Sequence, residues 1–310
     1  MARTALIVIP SLIMGGTEMQ TLTQVKALAG AEYRIVTACL FQHSRDVVDL
    51  YRGCGSEVIL LSPGNTPAPG RAALVRFLFR NLRQLLVTRK PAVTHVQVPS
   101  PTDWKEPATL SVFLLRLLGA KHLLATAHLA MPALGKGHRV PRLMASYATT
   151  AYVCCSRTVE ESLFGSSACF TPEAFLSGRK HFSIPNCADM PANTAPRAFA
   201  DAKAQTRGMQ IGFVGRLVPR KGADVLIKAL AMIQKDKADA TLTVVGDGWE
   251  KQNLLELAAG LRVADRVTFA GTRSRGEVEA LYRRFDLLAV PSRSEGLPLT
   301  ALEAMAAGIP

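Results

Sequence analysis

Ile211-Gly212-Phe213-Val214-Gly215-Arg216-Leu217-Val218-Pro219-Arg220-Lys221-Gly222 reads as an apolar strand (210–214), a loop bounded by glycines, and the entry to a helix over 222–234. Near the amino terminus the same plan occurs once more: strand 5–9, then Gly15-Gly16, then a helix over 17–29. Strand, glycine loop and helix in that order are the opening unit of a parallel α/β sheet. Around these two starts, short β-rich runs alternate with helical ones. Further strands are predicted at 33–40, 56–61, 92–98, 122–128, 151–156, 181–185, 240–245, 266–270 and 287–291. Further helices are predicted at 71–89, 107–118, 141–149, 157–164, 249–260, 275–284 and 299–307. The expected fold class is α/β, with two Rossmann-like, doubly wound parallel sheets facing a cleft. The first would span residues 1–188 and the second 208–310. Residues 189–207 carry Pro, Ala and charge without apolar periodicity and read as the linker. The helix that closes at Gly308 should feed another strand, and Ile309-Pro310 is where it would begin. The second domain is therefore expected to be cut short.

The chain has 310 residues, 48% hydrophobic and 20% charged, which fits a globular protein of two domains and excludes a disordered one. A net charge of +13 suits an anionic partner but does not choose among nucleotides, nucleic acid and acidic lipid. Only 6% of residues are aromatic, and no aromatic-interleaved basic patch is present, which disfavours nucleic acid. Six cysteines occur, none in C-x-x-C and none spaced with His for zinc; Cys39, Cys154 and Cys155 lie in apolar runs and read as buried thiols. The amino-terminal apolar run is too short for a secretory signal, and the Leu-rich stretch 109–131 is interrupted by Arg116, Lys121, His122 and His128. A cytoplasmic location is expected. The helix over 71–89 is basic and amphipathic, with Arg76, Arg80 and Arg83 on one face and Leu74, Phe77, Leu78, Leu82 and Leu85 on the other. That pattern suits either the solvated face of a domain helix or peripheral contact of 71–90 with an anionic membrane on its inner face.

Several short motifs carry chemistry. Arg216 and Lys221 sit at the carboxyl end of a strand, where a guanidinium fork and an ammonium within one loop fit a diphosphate. Pro291-Ser-Arg-Ser-Glu295-Gly296-Leu297-Pro298 leaves strand 287–291 and runs into a helix bearing Glu303. The two glutamates, eight positions apart, can accept hydrogen bonds from sugar or ribose hydroxyls while the helix start offers N–H groups to phosphate. On that helix, Leu302, Met305 and Ala306 fall on one face, and Gly308 is the C-terminal stop. Gly15-Gly16 lets backbone N–H groups approach an anion closely. Neither this pair nor Gly246-Asp-Gly248 makes G-x-G-x-x-G, which disfavours a nicotinamide-dependent enzyme. His128 ends strand 122–128 and can point into the ligand side of the sheet.

Taken in order, these segments resemble the retaining glycosyltransferases of family 4, which have the GT-B fold. Gly15-Gly16, His128, Ile184-Pro-Asn186-Cys-Ala-Asp189, Gly215-Arg216…Lys221-Gly222, Val244-Val-Gly246-Asp-Gly248, and the Glu295-x7-Glu303 pair followed by Ala-Met-Ala-Ala-Gly308-Ile-Pro310 are similar to that family's signatures. Cys187 stands where the family usually has Gly, and Leu297-Pro298 where Phe-Gly is frequent. The resemblance implies transfer of a sugar from a nucleotide-diphosphate donor (UDP or GDP) to a hydroxyl of a carbohydrate or lipid-linked acceptor. The anomeric configuration would be retained, in cell-surface polysaccharide or glycolipid synthesis. It implies catalytic roles for His128, Arg216, Lys221 and Glu295, and donor binding by Gly15, Gly16, Glu303 and the backbone of Gly296, Leu297 and Pro298. No D-x-D occurs, so no metal is expected, and no cofactor beyond the nucleotide-sugar co-substrate. The alternatives on sequence are a GT-B epimerase or phosphorylase, or an inactive piece of the transferase.

Overall fold

The computed structural model describes residues 2–62, 70–99, 106–130, 139–188, 208–235 and 239–310. The expected linker, 189–207, lies outside the described residues. The chain divides into two compact units, Met1–Cys187 and Ala188–Pro310.

The first unit is a seven-stranded, all-parallel sheet. Its strands are β1 (Thr4–Ile9), β2 (Arg34–Cys39), β3 (Ser56–Leu60), β4 (Val93–Val98), β5 (Leu123–Ala127), β6 (Ala151–Cys154) and β7 (His181–Ser183). The spatial order is β3-β2-β1-β4-β5-β6-β7. The central strand β1 buries Ala5 to Ile9 without a break, as a strand covered on both faces must. Helix α1 (Gly16–Gly30) follows β1 at once. Helix α2 (Arg45–Gly53), absent from the sequence prediction, follows β2 and buries Val47, Val48 and Tyr51. Helix α3 (Arg71–Arg89) buries Leu74, Leu78, Leu82 and Leu85 and leaves Arg76, Arg80 and Arg83 exposed, with Phe79 and Val87 exposed beside them. Helix α4 (Pro107–Leu117) starts on the Glu106 carboxylate, which accepts from the N–H groups of Ala108 and Thr109. Between β5 and β6 lie α5 (Arg139–Leu143) and a π-turn over Met144–Ala148; α6 (Arg157–Phe164) and α7 (Pro172–Leu176) precede β7.

The second unit has four parallel strands, β8 (Met209–Val214), β9 (Ala240–Val245), β10 (Val267–Gly271) and β11 (Leu287–Leu288), in the order β10-β9-β8-β11. Helices α8 (Ala223–Lys235) and α9 (Lys251–Gly260) follow β8 and β9; α10 (Arg275–Tyr282) and α11 (Leu299–Ala306) precede and follow β11. Strand β11 is shorter than the expected 287–291. Its ladder ends where the Ala289 N–H donates to the Gly212 carbonyl, and Pro291 has no N–H with which to continue. Small residues make the buried side of α11. Ala304 and Ala307 face inward against Tyr282, Phe285 and Leu288, while Met305 is 72% exposed. Two aromatic rings already fill the space beneath the helix, so only alanines fit there.

In both units the strand order reverses beside the first strand: at β1/β4 in one, at β8/β11 in the other. At such a switch the two loops leaving the carboxyl ends diverge to opposite faces and open a crevice. Topology alone therefore brings loop 215–222 beside loop 289–298.

Candidate active site

Loop 215–222 and loop 289–298 are bound together through charge. The Lys221 ammonium donates to Glu295 Oε1 at 2.5 Å, and Arg220 Nη1 lies 3.6 Å from Glu295 Oε2. Arg220 Nη1 also donates to the Ser294 carbonyl at 2.8 Å, and the Arg293 N–H donates to the Arg220 carbonyl at 2.8 Å. Arg293 forks onto the Asp224 carboxylate at 2.9 and 2.8 Å, its guanidinium drawing that carboxyl below the usual range. Gly222 makes the approach possible. Its φ is +71°, and a Cβ there would stand 2.1 Å from the Pro291 carbonyl oxygen. Gly246, at φ +128°, likewise lets loop 246–248 lie on the Gly215 carbonyl, which a Cβ would meet at 2.0 Å. The Leu217 N–H donates to the Asp247 carbonyl and the Glu250 N–H to the Leu217 carbonyl. Three loops at one sheet edge are thus tied into one platform.

Arg216 and Lys221, paired in the sequence reading, differ in state. Lys221 is half-buried and already donates to Glu295. Arg216 is exposed, and among the described residues its guanidinium has no partner. The two glutamates also have separate partners. Glu303 accepts from Tyr282 Oη at 2.9 Å, and burial pushes its carboxyl above the usual carboxylate range. Pro298 is the residue before α11 and has no N–H, so the backbone donors expected of 296–298 reduce to Gly296 and Leu297. The amino end of α11 has no side-chain cap. Sequence reasoning did not select Arg220, Arg293 or Tyr282. The first two looked like any solvated basic loop, and no local pattern signals that Tyr282 reaches a helix 21 residues on.

In the first unit, Gly15 precedes α1 and Gly16 is its first residue. A Cβ on Gly15 would lie 2.5 Å from Glu18 Oε2, whereas Gly16 has nothing within 4 Å. The loop therefore holds a carboxylate of its own: Glu18 is buried and accepts from Ser11 Oγ at 2.6 Å. The open approach is at Gly16. His128 follows β5 and is buried, its N–H held by the Val98 carbonyl. Its Nε2 is 2.8 Å from Gln97 Oε1. Burial, with the neighbouring His95 adding to it, pushes the imidazole down to about 3 and keeps it neutral. Cys39, Cys154 and Cys155 are buried, and burial pushes the Cys39 thiol up to about 12.

A platform of this kind on a doubly wound sheet places the chain in the class of α/β proteins whose strand-end loops are the usual ligand side. Comparison with known proteins narrows the class. Residues 196–310 match the family described as Glycosyl transferases group 1. The D-inositol 3-phosphate glycosyltransferase of Salinispora tropica is 46% identical over 113 residues, 34% of this chain and 23% of that protein. The GDP-mannose-dependent alpha-(1-6)-phosphatidylinositol monomannoside mannosyltransferase of Mycobacterium tuberculosis is 41% identical over 104 residues, 31% of this chain and 27% of that protein. The matched segments thus span about a quarter of each relative's length. Among solved structures, Anabaena Alr3699/HepE in complex with UDP-glucose superposes with a TM-score of 0.71 at 18% identity, over 99% of this chain and 79% of that one. That likeness establishes the fold, which is GT-B.

Proposed function

We propose that the chain transfers a sugar from a nucleotide-diphosphate donor to an acceptor hydroxyl with retention of anomeric configuration. The observation that carries this reading is the joined platform of Lys221, Arg220 and Glu295 beside an exposed Arg216 that has no partner among the described residues. A departing diphosphate needs fixed positive charge where its negative charge develops. Arg216 offers an uncommitted fork, and Lys221 retains N–H donors beyond the one given to Glu295. Glu295, held by Lys221 and Arg220, would turn toward hydroxyls of the donor sugar. Glu303 keeps Oε1 for a ribose hydroxyl while Tyr282 holds Oε2. The start of α11, which has no side-chain cap, supplies further N–H donors. Gly16 would approach the donor phosphates, and His128 would face the sugar as a neutral hydrogen-bonding group.

The relatives' names support the class of ligand. One is a GDP-mannose-dependent enzyme acting on a phosphatidylinositol mannoside, and one structural neighbour holds UDP-glucose. A lipid-linked or carbohydrate acceptor follows from these names and from α3, whose exposed Arg76, Arg80, Arg83, Phe79 and Val87 suit an anionic lipid surface. No helix among the described residues is long and apolar enough to cross a membrane.

The test is nuclear magnetic resonance of the products formed from UDP-glucose and from GDP-mannose with an acceptor panel. An acceptor glycoside with the donor's anomeric configuration is expected, and Arg216→Ala and Lys221→Ala should abolish it. An epimerised free sugar or a sugar phosphate would replace this reading with the epimerase or phosphorylase one. Unchanged turnover in both variants would overturn the assigned site.

A further inference from the structure

Gln97 occupies the carboxyl end of β4, one strand from β1 and directly beside β5. It is fully buried, an unusual place for a primary amide in a strand otherwise closed by Val96 and Val98. Both ends of the amide are used. Oε1 meets His128 Nε2 at 2.8 Å, and Nε2 donates to Gln24 Oε1 at 3.0 Å, on the half-buried side of α1. The direction of this chain is determined by its far end. Because the Gln97 NH2 group is given to Gln24, only the Gln97 carbonyl is left for His128, and a carbonyl must receive a proton. His128 Nε2 is therefore the protonated nitrogen and Nδ1 the bare one. Among the described residues Nδ1 has no partner.

We propose that Gln97 is the positioning residue of His128: the Gln24–Gln97–His128 chain fixes one neutral tautomer, so that Nδ1 accepts a hydrogen bond from a hydroxyl of the bound sugar. This rests on the sugar-transfer reading for the identity of that hydroxyl, but not for the tautomer. A carboxylate in place of the amide would hold an imidazolium, which accepts nothing. Gln97 keeps the ring neutral while still orienting it. Low pKa supports the same state, since burial drives both His128 and His95 down, the latter to about 4. The other groups against the ring are consistent. His95 on β4 donates to or accepts from Thr126 Oγ1 at 2.7 Å, and the Cys155 thiol, just after β6, donates to the His128 carbonyl at 3.4 Å. No carboxylate contacts the imidazole among the described residues.

The test is nitrogen-15 resonance of labelled histidines in the whole chain, with His128 assigned by His128→Asn. In the unaltered protein His128 should show protonated Nε2 and bare Nδ1, without titrating between pH 5 and 8. Gln97→Glu should raise its pKa by two units or more and bring titration into that window. Gln24→Ala, at a half-buried position that leaves the fold intact, should mix the two tautomers without altering pKa by more than about half a unit. Sugar turnover, where measured, should fall at least 10-fold in Gln97→Glu as the pH drops and recover as it rises. An Nδ1-protonated His128 in the unaltered protein, or an unchanged ring in both variants, would overturn the proposal. The expected tautomers with no turnover in the unaltered protein would instead count against the sugar-transfer reading alone.

Discussion

Lys221 and Glu295 form one ion pair, yet their substitution should move nucleotide binding in opposite directions. Lys221 Nζ stands 2.5 Å from Glu295 Oε1, and Arg220 Nη1 3.6 Å from Oε2. In Lys221→Met a cation is lost from the diphosphate site. Two unit charges about 4 Å apart at an effective dielectric near 20 interact by about 4 kcal/mol. The Lys221 side chain is 20% exposed and its charge is partly spent on Glu295, so about half of that should be realised. A loss of about 2 kcal/mol is about a 30-fold weaker affinity. In Glu295→Gln the competing carboxylate is removed, and both cations are released toward the diphosphate. Nucleotide should then bind unchanged or about 3-fold tighter, while sugar transfer falls by about 100-fold because the sugar-holding group is gone. Calorimetric titration with UDP and GDP, beside initial rates with the matching sugar donor, separates the two effects. If both variants weaken nucleotide binding by the same factor and lower the melting temperature alike, the pair is a structural strut and the reasoning fails.

Gly222→Ala combines a left-handed backbone with a Cβ 2.1 Å from the Pro291 carbonyl oxygen, and should cost roughly 3 kcal/mol or more by chemical denaturation. Gly276→Ala, in open space on α10, is the control and should be neutral or stabilising by up to about 1 kcal/mol. Glu160 on α6 is buried; burial raises its carboxyl, but bonds from Ser183, Arg179, His181 and the Ala168 N–H outweigh that and set it below the usual range. A depressed carboxyl stabilises above the unfolded value near 4.3 and loses that contribution as pH falls through the folded one. Melting between pH 6 and 3 should therefore be steeper in the unaltered protein than in Glu160→Gln, which itself should cost about 2–3 kcal/mol at pH 7; parallel curves would rule this out. Replacing Arg76, Arg80 and Arg83 together by Glu should weaken binding to phosphatidylserine vesicles by about 100-fold or more, at about 1 kcal/mol per arginine. Equal binding would mean that this face of α3 is merely solvated.

Much of this was legible because it is local. The strands β1, β2, β4, β5 and β9 fall within a residue or two of their predicted limits, since covered parallel strands are nearly uninterrupted apolar runs. What escaped was decided by contacts far apart in sequence. Leu302 and Met305 share one face of α11 as text, but which side is buried is decided by Tyr282 and Phe285, which pack with Ala304 and Ala307. Arg220 and Arg216 are equivalent as text, and only the return of loop 289–298 commits one and leaves the other. Glu18 and Gln97 are polar residues in apolar surroundings, which composition treats as noise. Each proves to be hydrogen-bonded, Glu18 in the first turn of α1 and Gln97 at the carboxyl end of β4, because a buried polar group must have a partner.

The central claim is that loop 215–222 receives a nucleotide diphosphate, and Arg216 tests it most directly. Its side chain is exposed and bonds to nothing among the described residues, so Arg216→Ala should leave the melting temperature of the free protein unchanged. Calorimetric titration of UDP and GDP should then show binding of at least one of them to the unaltered chain, weakened about 10-fold or more in the variant. Binding of neither nucleotide, or the same affinity with and without the Arg216 guanidinium, would contradict the account.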